Sequence, residues 1–202
     1  MKKCLLLLLP VFLLAGTPPA ATDQYLLSGE YTVTISGTSN LRDWKETVGQ
    51  VTGDMSAAQN EDGSIQLSSI RIKMNALSIK SDMGRVMDNK THEALKASAN
   101  PDIVFTLSNP LKLSQIRDRS NAIPVTGYLS LAGVCRPVIM MVKTFEIRHG
   151  SLVFEGSQSI RMTDFGVKPP SALFGTMRAA PDINIYFKTN FIKQSLLTNL
   201  KN

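Results

Sequence analysis

The stretch VTGYLSLAGVCRPVIMMV, Val125 to Val142, decides the fold. Val125, Leu129 and Leu131 interleave with Thr126, Tyr128 and Ser130, and Val138, Met140 and Val142 repeat the rhythm in the run that follows. A period of two sends alternate side chains to opposite faces of a strand, so each run has one apolar face to bury. Ala132 to Pro137 ends the first strand and starts the second, a link short enough for antiparallel neighbours.

The same pattern extends outward in both directions. Tyr31, Val33 and Ile35 alternate with Thr32, Thr34 and Ser36; Ile70, Ile72 and Met74 with Arg71, Lys73 and Asn75. Ile103, Phe105 and Leu107 form another set, as do Ile183, Ile185 and Phe187, and weaker candidates run from Thr47 to Met55 and from Leu152 to Ile160. About eight strands result. Asn60 to Gly63 and His149-Gly150 are short turns between them. The apolar phase slips between Ile65/Leu67 and Ile70/Ile72, which places a bulge or bend at Ser68-Ser69. One segment, Ser81 to Ser98, breaks the alternation and reads as an irregular or two-piece helix stopped by Asn100-Pro101, lying over one end of the strands.

Antiparallel strands with one apolar face bury it either in two packed sheets or in one sheet closed into a barrel, and closure removes exposed edges. An eight-stranded barrel is just filled by side chains or holds one elongated ligand. The inward set here is middle-sized aliphatics and methionines with Gly127 mid-strand, and periodicity alone fits a tunnel and a packed core equally.

The chain of 202 residues opens MKKCLLLLLPVFLLAG, two lysines before an apolar run that Pro10 interrupts and that small residues and prolines follow. This reads as a cleavable secretory signal peptide over residues 1–22, too short for a membrane span, with several plausible cleavage sites. One β domain over residues 23–192 and a polar tail over 193–202 follow. The whole chain carries a net charge of +6, and loss of Lys2 and Lys3 leaves it only mildly basic. Its cations are scattered singly, without the basic stripe that nucleic acid requires. Cys135 is left alone once Cys4 is removed, so packing and strand pairing hold the fold without an internal disulfide. No histidine or basic pocket beside Cys135 is evident to activate its thiol.

Catalytic signals are sparse. His92 and His149 are isolated and lack metal-ligand spacing. No nucleophile elbow is present, and Glu155 and Asp164 are a carboxylate pair only if the fold brings them together. No catalytic residue, metal or cofactor is assigned, and the chain is read as a non-enzyme.

Four stretches together resemble the YceI-like family of exported lipid-binding proteins: SGTSNLRDW (Ser36 to Trp44), ASANPDIVF (Ala97 to Phe105), GVCRPV (Gly133 to Val138) and MTDFGVKPPSALFG (Met162 to Gly175). The likeness runs from about Ser28 to Phe191. It departs from the family pattern at Cys135, where threonine is commoner, and at Arg42, where LHDW is more usual. The resemblance implies an all-β, lipocalin-like antiparallel barrel with an inserted helical segment, holding an isoprenoid, quinone or fatty-acid-like lipid, in the periplasm or secreted. It makes a homodimer reasonable and turns the tunnel question toward a cavity. The residues expected to line it are Val33, Ile35, Ile72, Met74, Phe105, Leu129, Met140, Ile185 and Phe187. Phe165, Leu173 and Phe174 lie in a loop that Gly166 and Pro169-Pro170 bend and stiffen, at the cavity mouth. The other reading is a packed barrel acting by protein contacts in envelope stress or assembly.

Overall fold

The structure, a computed structural model, describes residues 21–115, 121–172 and 175–199. The expected leader falls almost wholly outside them, as do Leu173 and Phe174. In chain order the strands are β1 (Asp23–Ser39), β2 (Trp44–Val48), β3 (Val51–Gln59), β4 (Ile65–Asn75), β5 (Ile79–Ser81), β6 (Asp102–Leu107), β7 (Leu111–Leu113), β8 (Ile123–Leu131), β9 (Val134–Arg148), β10 (Ser151–Arg161), β11 (Ser171–Ala172) and β12 (Met177–Lys193). Helix α1 (Arg85–Ala94) separates β5 from β6, and α2 (Gln194–Asn199) follows β12.

The sheet closes. Pairing runs β1, β3, β4, β6, β8, β9, β10, β12 and back to β1, an 8-strand antiparallel barrel of all-β class. The first and last strands, β1 and β12, complete the ring through a long ladder that includes Val33 against Phe187 and Ile35 against Ile185. Closure through these strands pairs the first strand of the ring with the last, so neither is left as a sheet edge along that ladder.

One strand read as a single run is interrupted and another ends in a tight turn, and side chains repair each break. Thr47 to Met55 divides at Gly49-Gln50 into β2 and β3, both of which pair with β1. Tyr31 Oη spans that gap, donating to the Gly49 carbonyl at 2.9 Å and accepting from Val51 N–H at 3.2 Å. A 3₁₀ turn over Ala76–Ser78 divides β4 from β5. There Asn75 Oδ1 accepts from Leu77 N–H at 2.9 Å, and Ser78 Oγ accepts from Gln50 N–H at 2.9 Å. These bonds satisfy backbone groups that a continuous ladder would otherwise hold. The phase slip in β4 is a bulge: Ser56 pairs with Ser69, and the next residue, Ala57, pairs with Leu67. Ser68 is the extra residue.

The hairpin between β8 and β9 is tighter than the sequence suggested. Leu131 pairs with Val134, so the turn is Ala132-Gly133 alone, with φ of 51° and 82°. Positive φ at both central residues gives the twist that hairpin strands need, and Ala132 tolerates it only because the strands on either side fix it.

One end of the bore, the floor, is filled. Phe145 stacks on Phe154 with centroids 4.8 Å apart, and Phe154 meets Phe191 edge-on at 6.1 Å. Met55, Ile65, Leu67, Leu113 and Leu152 close around them, all but inaccessible to solvent. Toward the other end, large rings lie flat against the wall over glycines of the neighbouring strand. Phe105 covers Gly127, Phe187 covers Gly156 and Trp44 covers Gly37, each so closely that a Cβ on the glycine would collide with the ring. A ring laid on a glycine occupies wall instead of lumen.

Candidate functional site

The unfilled part of the bore is two apolar chambers on the barrel axis. The upper one, about 90 Å³, lies under α1 and is walled by β1, β2 and β12. The lower one, about 70 Å³, reaches down to Phe154 above the floor. Val33, Met74 and Ile185 border both, so the two are one narrow slot pinched at its waist. A cavity needs roughly 10–15 Å³ by a comparable measure to take a water, but this lining is mostly apolar and offers water few partners, Glu46 and Thr91 in the upper chamber and Thr189 in the lower being its polar members.

Every residue expected to line the cavity faces this slot. Ile35 and Leu129 border the upper chamber; Ile72, Phe105, Met140 and Phe187 border the lower; Val33, Met74 and Ile185 stand between. The reason is the alternation along β1, β4, β6, β8, β9 and β12, which turns all of them inward. Phe165 lies at the end of a 3₁₀ turn over Met162–Phe165, 3% exposed, in the wall of the upper chamber. Gly166 ends that turn at φ 67° in the left-handed region. Val167 and Pro170 continue the seal, so the described part of the Met162–Pro170 stretch shapes the mouth as a packed wall.

The sequence reading missed the polar side of the upper chamber. Trp44, Glu46 and Val48 alternate inward along β2, and Thr91 and Ala94 of α1, with Leu95 at its C-terminal cap, face them. On the helix, Asp88, Thr91 and Leu95 fall at the spacing that shares a face. Glu46 is 5% exposed and accepts a hydrogen bond from the Thr91 hydroxyl. Burial pushes its carboxyl above the usual range; the Thr91 bond opposes this and the charges of Asp88 and Asp82 add to it. Asp88 moves the other way. Its carboxylate accepts from Ser81 N–H at 2.7 Å and pairs with Lys80 at 3.2 Å, and these hold it below the usual range, the backbone bond most of all. His92 hydrogen-bonds through Nε2 to the Ile79 carbonyl at 3.0 Å, which spends it on seating the helix. The signal for Glu46 was available: it is the one carboxylate in phase with Trp44 and Val48.

The carboxylates weighed as a catalytic pair do not meet in the slot. Glu155 stands on the face of β10 opposite Phe154, and Asp164 lies on the outer side of the Phe165 wall. Among the described residues no three His, Cys, Asp or Glu side chains gather as metal ligands. Cys135 is exposed and free on β9. Among the described residues, too, no helix is long and apolar enough to cross a membrane.

Comparison with known proteins follows the same outline. The family model described as YceI-like domain matches residues 30–191. Three solved structures share the fold. BcnA of Burkholderia cenocepacia is 17% identical with a TM-score of 0.59, over 80% of this chain and 96% of its own. A polyisoprenoid binding domain from Saccharophagus degradans, implicated in plant cell wall breakdown, is 10% identical with a TM-score of 0.63, over 86% and 99%. The YceI protein of Campylobacter jejuni is 14% identical with a TM-score of 0.51, over 72% and 82%. None of the curated proteins matches the chain.

Proposed function

Because the chain belongs to the YceI-like family, we propose that it binds the hydrocarbon chain of an isoprenoid, quinone or fatty-acid-like lipid inside the barrel, as an exported carrier or store without catalysis. One observation carries the reading: the slot of two mostly apolar chambers that share Val33, Met74 and Ile185 and end on a closed aromatic floor. Its shape suits a guest that is long, thin and apolar. The Saccharophagus relative, described as polyisoprenoid binding, points to a branched chain. Met74 and Met140 border the slot, and unbranched methionine side chains can swing aside to widen it.

The energetics require no reactive group. Burying a chain yields about 0.8 kcal/mol per methylene, so ten contribute roughly 8 kcal/mol before the costs of association are subtracted. Micromolar affinity corresponds to about 8 kcal/mol, which a somewhat longer chain reaches. A leader cut near residue 22 would deliver the barrel to the periplasm or the exterior, where a water-insoluble molecule needs a carrier. Mass spectrometry of lipids extracted from the protein purified from its own envelope tests the proposal. One long-chain species at a fixed ratio to protein is the expected result. Nothing above the level of a control exported protein would sink it in favour of a packed barrel acting through its surface.

A further inference from the structure

The wall of the barrel is not laced all the way up. The ladder between β9 and β10 ends at the pair Met141 and Ser157, although β9 reaches back to Val134 and β10 runs on to Arg161. Past that point each strand keeps its other neighbour: β9 pairs with β8 as far as Val134, and β10 pairs with β12 as far as Arg161. The two strands therefore part while both stay anchored. Pro137 lies in the freed stretch of β9. Its ring has no N–H to give a ladder, which is why prolines in sheets sit at edges.

The parting is a groove of about 740 Å³, edged by Arg136, Gln158, Ser159, Arg161, Asp164 and Asp182. Its inner side is formed in part by Ile160 and Phe165, which also line the upper chamber. Two apolar side chains thus stand between a polar groove and a mostly apolar slot. The charges along the groove offset one another. Arg161 donates to Asp182 at 2.9 and 3.4 Å, and Arg136 Nε donates to the Asp164 carbonyl at 3.2 Å.

Building on the lipid-binding reading, we infer that the split between β9 and β10 is the doorway of the slot and the seat of the ligand's polar end. The hydrocarbon chain passes Ile160 and Phe165 into the upper chamber, and a neutral head of hydroxyl, phenol or carbonyl type stays in the groove. A side chain that swings at this point breaks no ladder, whereas entry between any fully paired strands breaks several hydrogen bonds of about 1 kcal/mol each. At the axial end, among the described residues, Thr91, Leu95, Val167 and Pro170 line the chamber and would all have to part for a chain to pass. Two arginines against two aspartates give the groove a formal charge near zero, which favours a neutral head over an anionic one.

The probe is a long-chain alcohol carrying a benzophenone at its polar end, irradiated on the full-length protein and mapped by peptide. Label on the stretches 136–139 and 158–161, displaced by excess unlabelled long-chain alcohol, is expected. Displaceable label on α1 or β2 instead would overturn the side doorway and leave lipid binding standing. A complete lack of displaceable label would overturn lipid binding and the doorway together. A kinetic comparison separates the gate from general loosening: Ile160→Ala should speed exchange of the same alcohol roughly tenfold, with Ile65→Ala, a buried floor residue that lines neither chamber nor groove, close to wild type. Equal acceleration by both variants would refute the gate.

Discussion

At the floor of the barrel Phe145, Phe154 and Phe191 fill the bore, whereas farther along the same strands Phe187, Met140 and Ile160 border open space. Inward alternation is common to both regions, so alternation does not decide whether a bore is filled. What decides it is where the rings point and what lies across from them. At the floor the rings meet each other. Farther along, Phe105, Phe187 and Trp44 each press on a glycine so closely that a Cβ there would collide with the ring, whereas Phe191 of the floor sits less tightly over Gly53. The floor also has continuous pairing of β9 with β10, while the upper half has strand breaks and the split.

Three substitutions break or sharpen this contrast. Phe154→Ala should cost about 3–5 kcal/mol, because it removes the ring that touches both floor partners. Urea unfolding measures it, and a loss below about 1 kcal/mol would mean that the floor is not rigid packing. Gly156→Ala comes next, at about 1–3 kcal/mol, since its new methyl meets both the Phe187 ring and the Met141 carbonyl. The same substitution should push Phe187 into the lower chamber and weaken lipid uptake, which a titration with long-chain alcohol would show. Met74→Ala should cost about 2 kcal/mol, the low end for such truncations, because that side chain already faces space. If it costs as much as Phe154→Ala, the slot is packed and the contrast fails.

The smallest effect concerns the seam beneath α1, where two carboxyls titrate in opposite senses. Glu46, raised by burial, makes folding less favourable when charged, so its contribution improves as pH falls through its folded value toward the ordinary one. Asp88, lowered chiefly by the Ser81 backbone bond, contributes stability above its ordinary value that is lost as pH falls through its folded value. Glu46→Gln should therefore gain stability over wild type near neutral pH, with the gain shrinking in acid. Asp88→Asn should be less stable near neutral pH, with the deficit shrinking in acid. Chemical denaturation across pH reads both, and parallel curves for the two variants would contradict the assignment.

Much of this fold is legible in period two alone. The runs around Val33, Ile72, Phe105, Leu129 and Ile185 announce their inward faces, and Ser68 announces its bulge through a phase slip. Less visible were β5 and β7, three residues each, too short for a period to register. The division of β2 from β3 depends on Tyr31, eighteen or more positions away, supplying the missing bonds. Glu46 looked like an ordinary strand carboxylate until α1 was laid over it. Pro137 reads as part of a turn in the sequence, but it lies inside β9, paired with β8 in the stretch beyond Met141 that has no β10 partner. A sequence states which face a residue takes; which strand lies beside it, and for how long, is a property of the closed ring.

The aromatic floor also makes the barrel a blind vessel. On the lipid-binding proposal a long guest would enter tail first and leave tail last, with its polar end the part shown to the outside. A receiving protein or membrane would meet that end before any hydrocarbon is uncovered, and transfer could proceed by drawing the chain out in sequence. Orientation of the cargo is thus imposed by three phenylalanines that need never touch its head.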